Sequence, residues 1–206
     1  MNTDLLTLTQ WLSPAFPLGS FAYSHGLETA ITDGVIRDAP SLQGWLATIL
    51  ASGSGRVDAV LLSAARRGED AAEVAVALAG SKERLEETVS QGAAFARTLR
   101  TLGHTVADAP LPVAVGQATQ AFDLPTETVA ALYLQNFASN LVQCAVRFVP
   151  LGQSEGQAVL NGLRPLIEET ARNAAHTKLT DIATGAFMSD LSAMRHETQV
   201  ARVFQS

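Results

Sequence analysis

Apolar positions recur every three to four residues along most of this chain, and strict apolar–polar alternation is scarce. That period belongs to the α-helix, where such positions share one face. Ala, Leu, Glu, Gln and Arg dominate, which favours helix further. The pattern predicts helices over 4–12, 21–32, about 40–51, 57–67, 70–79, 82–102, 112–122, 125–148, 154–175 and 181–194. Ser13-Pro14 stops the first, Asp33-Gly34 closes the second, and Gly53 and Gly55 separate the next two. Ser154 followed by Gln157 has capping-box spacing and marks a helix start. The expected fold is all-α: a single-domain compact helical bundle of about ten helices over residues 1–206. A flexible C-terminal tail is expected at about 195–206.

Two of these helices carry more information than their type. In 128–148, Val129, Tyr133, Phe137, Leu141, Cys144 and Phe148 form one apolar stripe. Gln135, Asn136, Ser139, Asn140, Gln143 and Arg147 form the opposite one, and Arg147 is its single charge. A solvated face usually carries Lys and Glu, so this helix is expected to be covered on every side. The cover is either the chain's own core or a second copy of the chain. By contrast, 66–87 is rich in both charge signs and reads as a solvated edge.

Composition narrows the function. With 206 residues, 47% hydrophobic and only 17% charged, the chain can bury a large helical core. A net charge of −6 argues against a general nucleic-acid binder. One cysteine, Cys144, excludes an internal disulfide and a CxxC metal site. No basic leader precedes an apolar run, and no window of about 18 uninterrupted apolar residues occurs. A cytoplasmic protein without a membrane span is expected.

Candidate chemistry is sparse. The four histidines, His25, His104, His176 and His196, form no HxxxH or HExxH pattern. His25 and Glu28 share a helical face and could supply two metal ligands, but a metal site needs a third, which the sequence does not name. A hydrolase using His25 with Glu28 as its base lacks a nucleophile and an oxyanion element. No phosphate loop, nucleophile elbow or dinucleotide fingerprint is present. No enzyme, no cofactor and no dedicated metal site are expected. The C-terminal "SAMRHETQVARVFQS" mixes arginines with Met194, Val200, Val203 and Phe204. Such an end docks, either on its own domain or on a partner.

Three ordered segments carry a resemblance over essentially the whole chain. They are "SPAFPLGSFAYSHGLE" (13–28), "PLGQSEGQ" (150–157) and "MRHETQVARVFQS" (194–206). Together they resemble the UreF-type urease accessory proteins. The resemblance implies an all-α homodimer that bridges urease maturation factors. Its partners would be the scaffold UreD (also called UreH), the GTPase UreG and apo-urease, into which the assembly inserts nickel. UreF would be a non-catalytic member of that assembly that regulates UreG. The alternative is a nickel-binding metallochaperone with its own metal site. By the same resemblance, Tyr23, His25 and Glu28 are the partner-facing polar residues of the first motif. Arg195, His196, Glu197, Arg202 and Phe204 of the tail would bind UreD. The tail reads Val200-Ala201-Arg202-Val203-Phe204 where many relatives have Tyr-Ser-Arg-Leu-Phe.

Overall fold

The computed structural model describes residues 2–205; Met1 and Ser206, the two ends of the expected domain and tail, lie outside the described residues. The elements in chain order are α1 (Thr3–Trp11), a 3-10 turn (Ser20–Ala22), α2 (Leu27–Thr32), α3 (Ala39–Ser52), α4 (Ser54–Arg66) and α5 (Ala72–Ala77). They continue with α6 (Lys82–Thr101), α7 (Leu111–Ala118), α8 (Thr126–Val146), α9 (Gln153–His176), a second 3-10 turn (Leu179–Asp181) and α10 (Phe187–His196). No strand occurs among the described residues.

The innermost helix is α4, in which Val57 to Ala65 are all buried. It packs against α3, α7, α8 and α9, and α8 lies along α9. Gly116 of α7 meets α4 so closely that a Cβ there would lie 2.4 Å from the Leu62 carbonyl oxygen. Trp11, Phe16, Phe95 and Phe122 form an aromatic cluster at one end of the main core. The run Ala39–Arg66 is long and apolar enough to cross a membrane by length and composition only. It breaks at Gly53 into α3 and α4, and two-thirds of its apolar window is buried within the fold.

Several boundaries depart from the sequence reading; α4, for one, begins at Ser54 and takes Gly55 into its first turn. The helix expected over 21–32 begins only at Leu27, because His25 (φ 53°) and Gly26 (φ 75°) are both left-handed and break it. The helix expected over 181–194 is α10, shifted to Phe187–His196. Residues 182–186 are instead a strap across the α3–α4 junction, where Gly185 N–H donates to the Ser52 carbonyl and Arg56 holds the Ala183 carbonyl. The α7 helix stops at Ala118, and Thr119–Phe122 continue as turns. At the start of α9 the cap is Gly152, whose N–H donates to the Glu155 carboxylate at 2.8 Å; Ser154 sits inside the first turn.

The amide face of α8 is not covered on every side by its own chain. Gln135, Asn136, Ser139, Asn140 and Gln143 are half-buried, and Arg147 is exposed.

Candidate functional site

An aspartate inside an apolar helix must find a partner, since an isolated buried carboxylate is costly. Asp58 of α4 is flanked by Val57 and Ala59 and is 3% exposed. Arg84 of α6 meets it with Nη2 at 2.7 and 2.6 Å from its two oxygens, and Tyr133 of α8 donates to it at 2.8 Å. Arg84 also donates to Glu87 at 3.0 Å, and Glu87 receives His25 Nε2 and Gln91 as well. Burial alone would raise the Glu87 carboxyl; His25 and Arg84 beside it outweigh that and hold it at about 2. Burial and the Asp58 carboxylate push the Tyr133 phenol well above its ordinary range.

One turn earlier on α6, Glu83 anchors a second cluster. His196 of α10 is fully buried between two carboxylates, with Nδ1 2.8 Å from Glu83 and Nε2 3.2 Å from Glu28. Arg202 of the tail reaches the other Glu83 oxygen at 2.7 Å. Glu28 accepts the backbone N–H groups of Val203 and Phe204, each at 2.9 Å. Burial works to raise the Glu28 carboxyl, but these two amides, with His196, hold it below the usual carboxylate range. The Phe204 ring is buried beside Phe148 at 5.2 Å between centroids.

The tail thus lies docked on its own domain, and Glu28, His196, Arg202 and Phe204 meet at one place. His25 belongs to the neighbouring Glu87 cluster, with its ring edge-on to Phe137. Tyr23 is half-exposed and pairs its hydroxyl with Ser90 at 3.2 Å. Arg195 is exposed and bonds Asp33 at 2.8 Å, while the Glu197 carboxylate accepts the Lys82 N–H at the start of α6. His25, Glu28 and His196 are buried, and their side chains are hydrogen-bonded within the chain. The sequence reading missed Asp58, Glu83, Arg84, Glu87 and Tyr133. It placed Glu83, Arg84 and Glu87 on a solvated edge, whereas both glutamates are buried and Arg84 is 15% exposed. The missed signal was Asp58 itself, a lone acid within "VDAVLL".

Gly26 shows how tightly α10 sits on this region. A Cβ there would lie 2.5 Å from the Ala193 nitrogen and 2.9 Å from the Ser192 carbonyl carbon. The face of α10 so packed is small and polar: Ser189, Ser192, Ala193 and His196. Its outward face carries Phe187 (77% exposed), Met188 (60%), Leu191 and Met194. A surface helix normally has the reverse arrangement. Exposed Val200 and Val203 extend the apolar surface along the tail, so six of the thirteen exposed large apolar residues among those described fall within 187–203. That concentration separates this surface from ordinary scattered exposure. Beside Phe187 and Met188, a groove is lined by Val35 and Trp45, and the Trp45 indole N–H is buried without a hydrogen-bond partner.

Among the described residues, no group of three or more His, Cys, Asp or Glu is placed to hold a metal ion. In the densest cluster His196 stands between its two carboxylates, so its nitrogens are occupied. Cys144 is buried; burial, with the Glu87 and Glu28 charges against Arg147, pushes its thiol up to about 12.

The family model described as UreF matches residues 36–164. The urease accessory protein UreF of Cereibacter sphaeroides is 56% identical over 210 residues, covering all of both chains. That of Dinoroseobacter shibae is 50% identical over 205 residues, covering 98% of each. That of Roseobacter denitrificans is 48% identical over 213 residues, covering all of this chain and 96% of the relative. With a family model spanning more than half the chain and relatives matched from end to end, this chain belongs to the UreF family of urease accessory proteins.

Proposed function

We propose that this chain is a non-catalytic assembly factor of urease maturation, and that the outer face of α10 and its docked tail form the surface that binds the scaffold UreD. The carrying observation is the inverted helix: four large apolar side chains face outward while small and polar ones face the fold. Apolar groups that gain nothing inside their own chain are stabilised by burial in a partner, at about 25 cal/mol per Å². The tail's supports, Glu28 and Glu83, hold the surface from beneath. In this reading the UreF–UreD platform recruits the GTPase UreG to apo-urease, and the nickel is cargo of the assembly. The half-buried amide face of α8 is the seam of a homodimer, where uncharged amides pair across the two-fold axis at little desolvation cost.

Co-expression with UreD tests the reading. The full chain is expected to co-purify with UreD, and a chain ending at Met194 to lose it. Circular dichroism of the shortened chain guards against a folding defect. Retention of UreD by a folded shortened chain contradicts the tail's role.

A further inference from the structure

A half-enclosed cavity of about 60 Å³ lies on the opposite side of His25 and Arg84 from the amide face of α8, between α4, α5, α6 and α10. Its apolar wall is Val57, Leu61, Ala75 and Leu78. Two polar groups in it have no use in the fold. The Asp190 side chain on α10 makes no hydrogen bond or ion pair among the described residues; a Cβ on Gly80 would lie 3.2 Å from its Oδ1. Thr88, 3% exposed, makes no side-chain hydrogen bond either, unlike Thr98 on the same helix, which bonds back to the Ala94 carbonyl. Arg84 also reaches the cavity, but both its terminal nitrogens are committed to Asp58 and Glu87.

The charges select the sign of a ligand. Asp58 and Arg84 cancel as a bidentate pair, which leaves Asp190 as the uncompensated charge of the lining. Burial raises the Asp190 carboxyl, with no neighbouring cation to lower it again. An anion is repelled there, and a cation is attracted. The volume selects the size: at 10–15 Å³ for each water-sized group, the space takes roughly four to six non-hydrogen atoms. Nucleotides and drug-sized molecules do not fit.

We propose that this cavity binds a primary ammonium group on a short alkyl stem. Asp190 is its charge partner, Thr88 accepts one N–H, and Leu61 and Leu78 line the stem. The inference stands apart from the partner surface proposed for the outer face of α10. The same chemistry has two sources, a small free amine or a lysine side chain of another protein.

The test is a methyl-detected NMR titration of the full chain with n-propylammonium, and with n-propanol as a neutral match. Saturable shifts are expected at the methyls of Leu61, Ala75, Leu78 and Thr88, with millimolar affinity for so small a ligand. Binding of n-propanol, and of n-propylammonium to Asp190→Asn, is expected to be at least about tenfold weaker. Asp190 has no internal partner, so this variant keeps the wild-type melting temperature. Ala79→Leu, which fills the cavity without touching the charge, is also expected to abolish the shifts. Equal binding of the amine and the alcohol, an unchanged Asp190→Asn, or no saturable shift overturns the proposal. Nα-acetyl-lysine methylamide separates the sources: shifts of the same methyls support a lysine side chain, and shifts with n-propylammonium alone support a free amine.

Discussion

His196 ties together segments that are far apart in the sequence. It is fully buried and joins Glu28 of the first motif to Glu83 of α6. His196→Ala leaves two carboxylates facing each other without their bridge. Leaving a buried hydrogen-bonding group without its partner costs about 1–3 kcal/mol. Urea unfolding is expected to show a loss of that size, and His196→Gln, with one donor, a smaller one. Acid has a related effect. Glu28 lies below its ordinary value of 4.5 in the fold, so its ionised form is the stabilised one. Its contribution is complete above that value and is lost as pH falls through the lower, folded-state value. Amide exchange at Val203 and Phe204 is therefore expected to accelerate below about pH 4.5, the unfolded end of this titration. Glu87, held at about 2, contributes about 3 kcal/mol at neutral pH and loses it between 4.5 and 2. Cys144, with its thiol pushed up to about 12, is expected to resist alkylation at mildly alkaline pH until the chain unfolds.

At the scale of elements, apolar period and breakers made most helices legible, because each buries its stripe on a neighbour. Boundaries failed where long-range contact overrides local preference. Nothing in 21–25 forbids a helix, yet the close approach of α10 needs a left-handed Gly26, and the helix waits until Leu27. Gly26→Ala combines backbone strain with a clash against a backbone nitrogen, and roughly 3 kcal/mol or more of destabilisation is expected in thermal or urea unfolding. The strap 182–186 reads as helix in the sequence because its anchors, Ser52 and Arg56, are far away along the chain. The acidic start of α6 was misread for a different reason. Mixed charge on a helix means solvent unless partners exist, and here the partners Asp58, His25 and His196 arrive from three other segments. The motif residues were legible as a set from their family pattern. Their burial was not, because nothing local says that Glu28 will accept two amides from the far end of the chain.

At the scale of the molecule, two buried charge clusters support a surface that the fold does not cover. The α10 helix is anchored by polar residues and turns its apolar residues outward, an arrangement that spends no stability on the isolated chain. Phe187 and Leu191, with most or about half of their surface in water, contribute little to folding. Substituting them is expected to change unfolding stability by no more than about 0.5 kcal/mol each. At the centre of a protein interface, truncating such anchors costs about 2 kcal/mol or more. The most direct measurement is the affinity of purified UreD for this chain and for Phe187→Ser/Leu191→Ser, with melting temperatures recorded in parallel. The double variant is expected to form at least a thirtyfold weaker complex, from about 2 kcal/mol lost, with melting nearly unchanged. An unchanged affinity in a folded double variant would contradict it.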